Sequence, residues 1–315
     1  MNTQTQNRRP LTEVKPSPGK GLGLFAKVAL PRGTRIIAEA ALLPDTHGAP
    51  RPIVTTFLHL TSSQRNAYLA LHSYASPYAV KCYEEWISMP WGDFPPHIRK
   101  VLGIFSANHF DEGVFLEASR INHSCVPNMV HCYDGETNMM TVHVMRDVEP
   151  GEELTISYCG GCIHAWSERR EFLLHYGFEC TCEACEEVDG GKKPDVRQAW
   201  ADSEEQLQLG VEGENWAQVQ KHGVSLAGIL ESEGFFDGSL SFLYHEIARS
   251  YFNLNDFKSA LVWMQKKVEL DRILVGDDHP QYQFLGRVVQ CLKTAVETSG
   301  PPSDILLGWA DLNQE

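Results

Sequence analysis

The chain lacks the features that membranes and nucleic acids select. No apolar run approaches the roughly 20 residues of a membrane-spanning helix, so no membrane association is expected. The opening stretch MNTQTQNRRPLTEVKP has no apolar segment behind its charges, and a secretory signal is not expected. Positive charge is scarce: 27 Lys and Arg against 41 Asp and Glu give a formal net charge of −14. That balance argues against a general electrostatic footprint for nucleic acid and instead favours the arrival of a basic partner. Only the first forty residues run the other way, with seven Lys and Arg against two acidic residues. Cysteine is sparse but odd in number: nine, without a secretory context, favour reduced thiols and metal ligation over a disulfide framework. What is present suffices for real cores, since 315 residues suit two domains and 43% of them are hydrophobic.

Residues 1–18 are polar and hold three prolines, which predicts a flexible arm. From there GKGLGLFAKVALPRGTRIIAEAALL alternates like short β-strands around a turn, with the proline of Pro31-Arg32-Gly33 expected at the second turn position. The device recurs in MTVHVMRDVEPGEELTISY, where Glu149-Pro150-Gly151 separates two alternating runs. Between these β parts an insert, about residues 44–108, reads as helical; Leu, Ile and Phe recur at three or four near Ser62–Tyr74 and Pro96–Asn108. A helix is expected at SERREFLLHYG, capped by Ser167 and ended by Gly177 in the left-handed conformation. The charged, glycine-paired stretch around residues 189–196 reads as a linker, and residues 197–297 read as helices almost throughout. In SFLYHEIARSYFNLNDFKSALVWMQKKVEL, Ala248, Tyr251 and Ala260 fall where a tetratricopeptide unit wants small, aromatic and small residues; a generic helical hairpin fits as well.

Four stretches carry chemistry. CTCEAC places Cys180, Cys182 and Cys185 within six residues, and such thiols can converge on one zinc if a fourth ligand comes from Cys125, Cys132, Cys159 or Cys162. In GKGLGLFA, glycines at 19, 21 and 23 let a ligand approach the backbone, although a plain structural bend explains them too; the spacing of a dinucleotide or phosphate loop is missing. RINHSCVPNMV, residues 120–130, packs Asn122, His123, Ser124 and Cys125 between apolar residues. Tyr158 closes the strand ELTISY. Singly, His123 reads as a structural histidine and Tyr158 as a half-buried strand tyrosine.

The ordered set GKGLGLFA, SRINHSCVPN, GEELTISY and HYGFECTCEAC resembles a SET-domain protein lysine methyltransferase over roughly residues 15–188. The Tyr-x-Phe-x-Cys-x-Cys-x-x-Cys ending and the helical C-terminal half are similar to the SET-and-MYND subgroup, but the MYND zinc finger has no counterpart, because residues 44–105 hold Cys82 alone. The resemblance implies an α+β protein: a β-rich SET domain over residues 19–188 with the helical insert, a post-SET zinc segment at 176–188, and an all-helical, tetratricopeptide-like domain over 197–315. It implies S-adenosylmethionine as cofactor. Lys20, Gly21 and Leu22 would offer mainly backbone contacts, Asn122 and His123 would hold its amino-acid end, and Phe178 would pack on the adenine. Tyr158 would touch the cofactor and orient amine and methyl as the catalytic residue, while Tyr176 would line the lysine channel. Cys125 becomes the fourth ligand of a structural zinc with Cys180, Cys182 and Cys185. The expected substrate is a protein segment with a lysine in basic surroundings, histone or not, and the expected enzyme is a monomer of cytoplasm or nucleus that does not bind nucleic acid directly. The alternative is a SET-fold pseudoenzyme that binds partners through its helical half.

Overall fold

The computed structural model describes residues 11–159, 165–191 and 200–298, with positions 304, 306 and 309. Two compact units emerge, one from the residues up to Cys159 with Ser167–Glu186, the other chiefly from Glu187 onward.

The first unit is mixed. Strand β1 (Thr12–Ser17) pairs antiparallel with β2 (Gly21–Ala26), in a register from Thr12 opposite Ala26 to Ser17 opposite Gly21. This corrects the expectation of a flexible arm through residue 18. Pro16 had argued against a strand, but β1 is an edge strand, where a residue without an N–H breaks no ladder. Residues 1–10 of that arm lie outside the described residues. On its other side β2 meets β10 (Glu153–Ile156) antiparallel, and β10 meets β7 (Asn122–His123) in parallel, giving the order β1-β2-β10-β7. A second sheet orders β3 (Arg35–Glu39), β9 (Met139–Val144) and β8 (Met129–Asp134); a third joins β4 (Leu43–Pro44), β6 (Gly113–Val114) and β5 (His109–Phe110).

Both proline-glycine turns form, yet neither closes a hairpin: the strands flanking each belong to different sheets. At the first, the Thr34 N–H donates to the Pro31 carbonyl at 3.1 Å, which puts Pro31 at the first turn position, not the second as expected. Gly33 then takes the position that needs φ +82°. At the second, the Glu152 N–H donates to Glu149 and Pro150 does occupy the second position, with Gly151 at φ +86°. Leu30 and Val148 bridge the two turns. Leu24, Ile36, Ile37, Phe115, Val142 and Leu154 fill the core between the first two sheets.

The insert holds four α-helices: α1 (Pro50–His59), α2 (Ser62–Leu69), α3 (Pro77–Ile87) and α4 (Pro96–Asn108). Thr61 and Gln64 form a reciprocal capping box on α2, and the Ser76 hydroxyl caps α3. The α2 helix stops at Leu69, short of the expected Tyr74, and α3 falls within the insert read as helical, with Tyr83 its single buried residue. Farther on, α5 (Trp166–Leu173) runs into a 3-10 turn over Leu174–Tyr176. Ser167 sits inside α5 and not at its cap, whereas Gly177 does end the segment at φ +79°. A short helix, α6 (Glu183–Asp189), begins after Cys182 and carries Cys185, the last of the cysteine triplet, on its buried side.

In the second unit, α7 (Trp200–Glu212), α8 (Trp216–Ser232), α9 (Gly238–Asn253), α10 (Phe257–Leu274) and α11 (Pro280–Thr298) pack each against the next. Asn215, Asp237 and Asp256 cap α8, α9 and α10 through their side chains. Ala248 and Ala260 are fully buried where α9 meets α10, and Tyr251 packs beside them. Most of the expected linker, residues 192–196, lies outside the described residues. Among the described residues, no helix is long and apolar enough to cross a membrane.

Candidate active site

Pairing of β7 with β10 sets Asn122 opposite Thr155 and His123 opposite Ile156, two residues before Tyr158. The Asn122 amide is anchored twice, donating to the Leu22 carbonyl at 3.1 Å and to the Glu153 carboxylate at 2.7 Å. Lys20 reaches the same place: its ammonium lies 3.5 Å from Glu153 and 3.4 Å from the His123 carbonyl. Gly23 is demanded by this crowding, since a Cβ there would overlap Glu153 Oε1 and stand 2.8 Å from Asn122 Nδ2. Gly21 differs. It adopts φ +78° with nothing within 4 Å of where a side chain would stand, and the neighbouring Leu22 is 48% exposed. Open space therefore lies over the bend, beside one cation and one anchored amide.

Aromatic rings form the rest of the site. Tyr158 lies 4.9 Å from Tyr176 and 6.3 Å from Phe178, and His123 lies 6.0 Å from Phe178. The Tyr158 hydroxyl donates to the Ile121 carbonyl at 2.7 Å. Burial pushes the phenols of Tyr158 and Tyr176 above their ordinary range, with Tyr176 adding to the effect on Tyr158, so both stay protonated at neutral pH. The ring of Tyr74, from the insert, lies against the Gly177 backbone, where a Cβ would come within 2.7 Å of it.

Behind the rings, the sulfurs of Cys125, Cys180, Cys182 and Cys185 all lie within 4.8 Å of one another. Cys125 Sγ is 3.9 Å from Cys180 Sγ and 3.5 Å from Cys185 Sγ. A tetrahedron with metal–sulfur bonds of about 2.3 Å has sulfurs about 3.8 Å apart, so the quartet has the size a zinc ion requires. Hydrogen bonding within the quartet splits its thiols: Cys125 holds those of Cys180 and Cys182 below the usual range, while Cys125 and Cys185 themselves are raised. Of the other candidates for fourth ligand, Cys132 faces the Tyr133 carbonyl and buried Cys159 stands outside the quartet; Cys162 lies outside the described residues.

Sequence reasoning missed three participants. Glu153, inside GEELTISY, gains its role only from strand register. Tyr74 comes from a segment some hundred residues before the Gly177 it covers, with no local signal. Glu39, in β3, accepts from the Ala118 N–H at 2.7 Å and the Glu117 N–H at 3.0 Å, just ahead of the Asn-His motif; burial raises its carboxyl to about 7.

Comparison with known proteins meets this geometry. Residues 21–159 match the family model of the SET domain, the segment that holds the Gly-rich bend, the Asn-His pair and Tyr158. Those residues are thus similar to a SET domain, and the chain is similar to fungal proteins named histone-lysine N-methyltransferase SET5. The relative from Schizosaccharomyces pombe is 28% identical over 309 residues, covering 92% of this chain and 87% of that one. Those from Scheffersomyces stipitis and Yarrowia lipolytica are 34% and 38% identical, but over 28% and 27% of this chain and only 18% and 19% of theirs. A solved SET domain of LSMT bound to lysine and AdoHcy is 15% identical, with 93% of this chain and 89% of that one covered, at a TM-score of 0.38. So low a score leaves the fold resting on the sheet topology and the family match.

Proposed function

We infer that the protein transfers a methyl group from S-adenosylmethionine to lysine side chains of protein substrates. The observation that carries this reading is the meeting of Asn122, Tyr158, Tyr176 and Phe178 at the junction of β2, β7 and β10 in a SET domain. The open Gly21-Leu22 bend, the Lys20 ammonium and the anchored Asn122 amide fit the carboxylate and ammonium of an amino acid, and Phe178 offers a face to a purine. His123 contributes there through its backbone, since its ring is turned inward. When bound, the cofactor supplies an activated methyl on a sulfonium.

The residues of the chain supply position and dryness. Tyr158 commits its proton to the Ile121 carbonyl, which leaves the hydroxyl's lone pairs to face an incoming amine or a polarised methyl. The burial that raises the two phenols would lower the pKa of a lysine ammonium in the same place and favour the free amine. No phenolate is available as a general base, so alignment provides much of the rate. Tyr176 lines the route by which the amine enters.

The cysteine quartet holds a structural zinc that clamps residues 176–185 to the Asn-His strand. The Tyr176-x-Phe178-x-Cys180-x-Cys182-x-x-Cys185 ending and the helical second unit support a likeness to the SET-and-MYND subgroup without its finger, and buried Ala248 and Ala260 support reading α9–α10 as a tetratricopeptide-like pair. The substrate is a basic lysine-containing segment drawn by the negative net charge, histone or otherwise, in cytoplasm or nucleus, and the enzyme acts as a monomer. Incubation with labelled S-adenosylmethionine and a proteome from the same source, followed by mapping of labelled lysines, tests the reading. Transfer to lysines that disappears with Asn122→Ala supports it; cofactor binding without transfer to any protein sinks it in favour of a partner-binding SET module.

A further inference from the structure

The cofactor reading uses the backbone of His123 and leaves its ring without a task. His123 is 3% exposed, and its ring joins two elements of the site. Its Nδ1 lies 3.0 Å from the amide nitrogen of Tyr158, and its Nε2 lies 3.3 Å from Cys125 Sγ. A backbone N–H can only donate, so Nδ1 accepts, and the neutral imidazole carries its hydrogen on Nε2. That hydrogen points at Cys125 Sγ, and a metal-bound thiolate can only accept.

We propose that His123 is a positioning residue of the metal centre: Nε2–H donates to the Cys125 thiolate while Nδ1 holds the amide of Tyr158. The inference rests on the zinc reading above. One imidazole then registers the metal against the catalytic phenol, whose rings stand 5.3 Å apart. The bond does two things for the centre. It spreads the charge of a buried thiolate, and it fixes the direction of Sγ on a chain that turns at Ser124, whose N–H is tied to the Ile156 carbonyl at 3.0 Å. Partners just outside a metal's ligands commonly change its affinity by about 10–100-fold.

The test uses the full chain, zinc and a chromogenic chelator, with activity set aside. In His123→Gln the amide nitrogen reaches the place of Nε2 and keeps the donor to sulfur; in His123→Asn the amide reaches only the place of Nδ1. Zinc affinity is expected near wild type for Gln and about 10–100-fold weaker for Asn and for His123→Phe. A merely structural histidine would not separate Gln from Asn. Folded Asn and Phe variants that hold zinc as tightly as wild type overturn the proposal, and so does a Gln variant as weak as Asn. Should substitution unfold the chain, nitrogen-15 spectra of the zinc-loaded wild type decide it: the Nε2–H tautomer is expected, and Nδ1–H overturns it. A wild-type chain that takes up no zinc overturns the metal reading itself, a result distinct from equal affinities.

Discussion

Gly23→Ala isolates the cofactor pocket from the stability of the fold. Gly23 lies in β2, and the atoms its new methyl would meet first are the far ends of two side chains, Glu153 Oε1 and Asn122 Nδ2, the latter at 2.8 Å. Ser17 Cβ, at 3.2 Å, would need to give only by a few tenths of an ångström. Side-chain ends can swing away, so overpacking should stay at or below about 1 kcal/mol, the low end for an added core methyl. The swing breaks the 2.7 Å bond between Asn122 and Glu153 and loosens the one to Leu22. A hydrogen bond to a charged group contributes about 1.5–3 kcal/mol. Loss of about 2 kcal/mol of amide positioning corresponds to roughly 30-fold weaker cofactor binding. Calorimetric titration with S-adenosylhomocysteine, alongside a thermal melt, reads both quantities. A variant that binds as wild type refutes the role given to the Asn122–Glu153 pair; a collapse in melting temperature refutes the claim that the crowding is confined to side-chain ends.

Metal analysis of Cys125→Ser should show loss of zinc, while Cys159→Ser keeps it; the opposite pattern removes Cys125 from the ligand set. Glu39 provides a pH test. Its carboxyl is raised from 4.5 to about 7 by burial, so ionising it is harder in the folded chain. Its stabilising effect is therefore full below the unfolded value and fades as pH rises from about 4.5 to about 7, by at most about 3 kcal/mol. Urea unfolding of wild type and Glu39→Gln at intervals across that window should show the wild type falling relative to the variant as pH rises. Parallel curves would show that the two backbone N–H groups outweigh burial.

Local pattern made part of this protein legible. The triplet Cys180, Cys182 and Cys185 declares itself by spacing, and the Asn-His-Ser-Cys stretch by company that few turns keep. The structure brings Cys125 to that triplet, Asn122 to the glycine bend, and Tyr158 to Tyr176 and Phe178. Long-range register stayed hidden. Both proline-glycine turns were legible as reversals between strands, but a sequence does not show which sheet receives each strand. Pro16 hid β1, since an edge position cannot be read from six residues. Glu153 and Glu152 are adjacent and alike, yet the β2–β10 register alone gives Glu153 to Asn122 and Lys20. The task of the His123 ring depends on a sulfur two residues away and an amide 35 residues away, geometry that composition does not encode.

The central claim is that Tyr158 aligns amine and methyl through its hydroxyl alone. Tyr158→Phe keeps the ring that packs on Tyr176 and the amide that donates to His123, and removes only the bond to the Ile121 carbonyl and the oxygen facing substrate. The direct measurement is single-turnover transfer of labelled methyl to protein lysine by wild type and Tyr158→Phe, both saturated with cofactor whose affinity is measured on the same samples. Near-equal cofactor affinity is expected, with a transfer rate lowered by about 100-fold or more, as when a group acts in the transition state. Equal rates at equal affinity would contradict it.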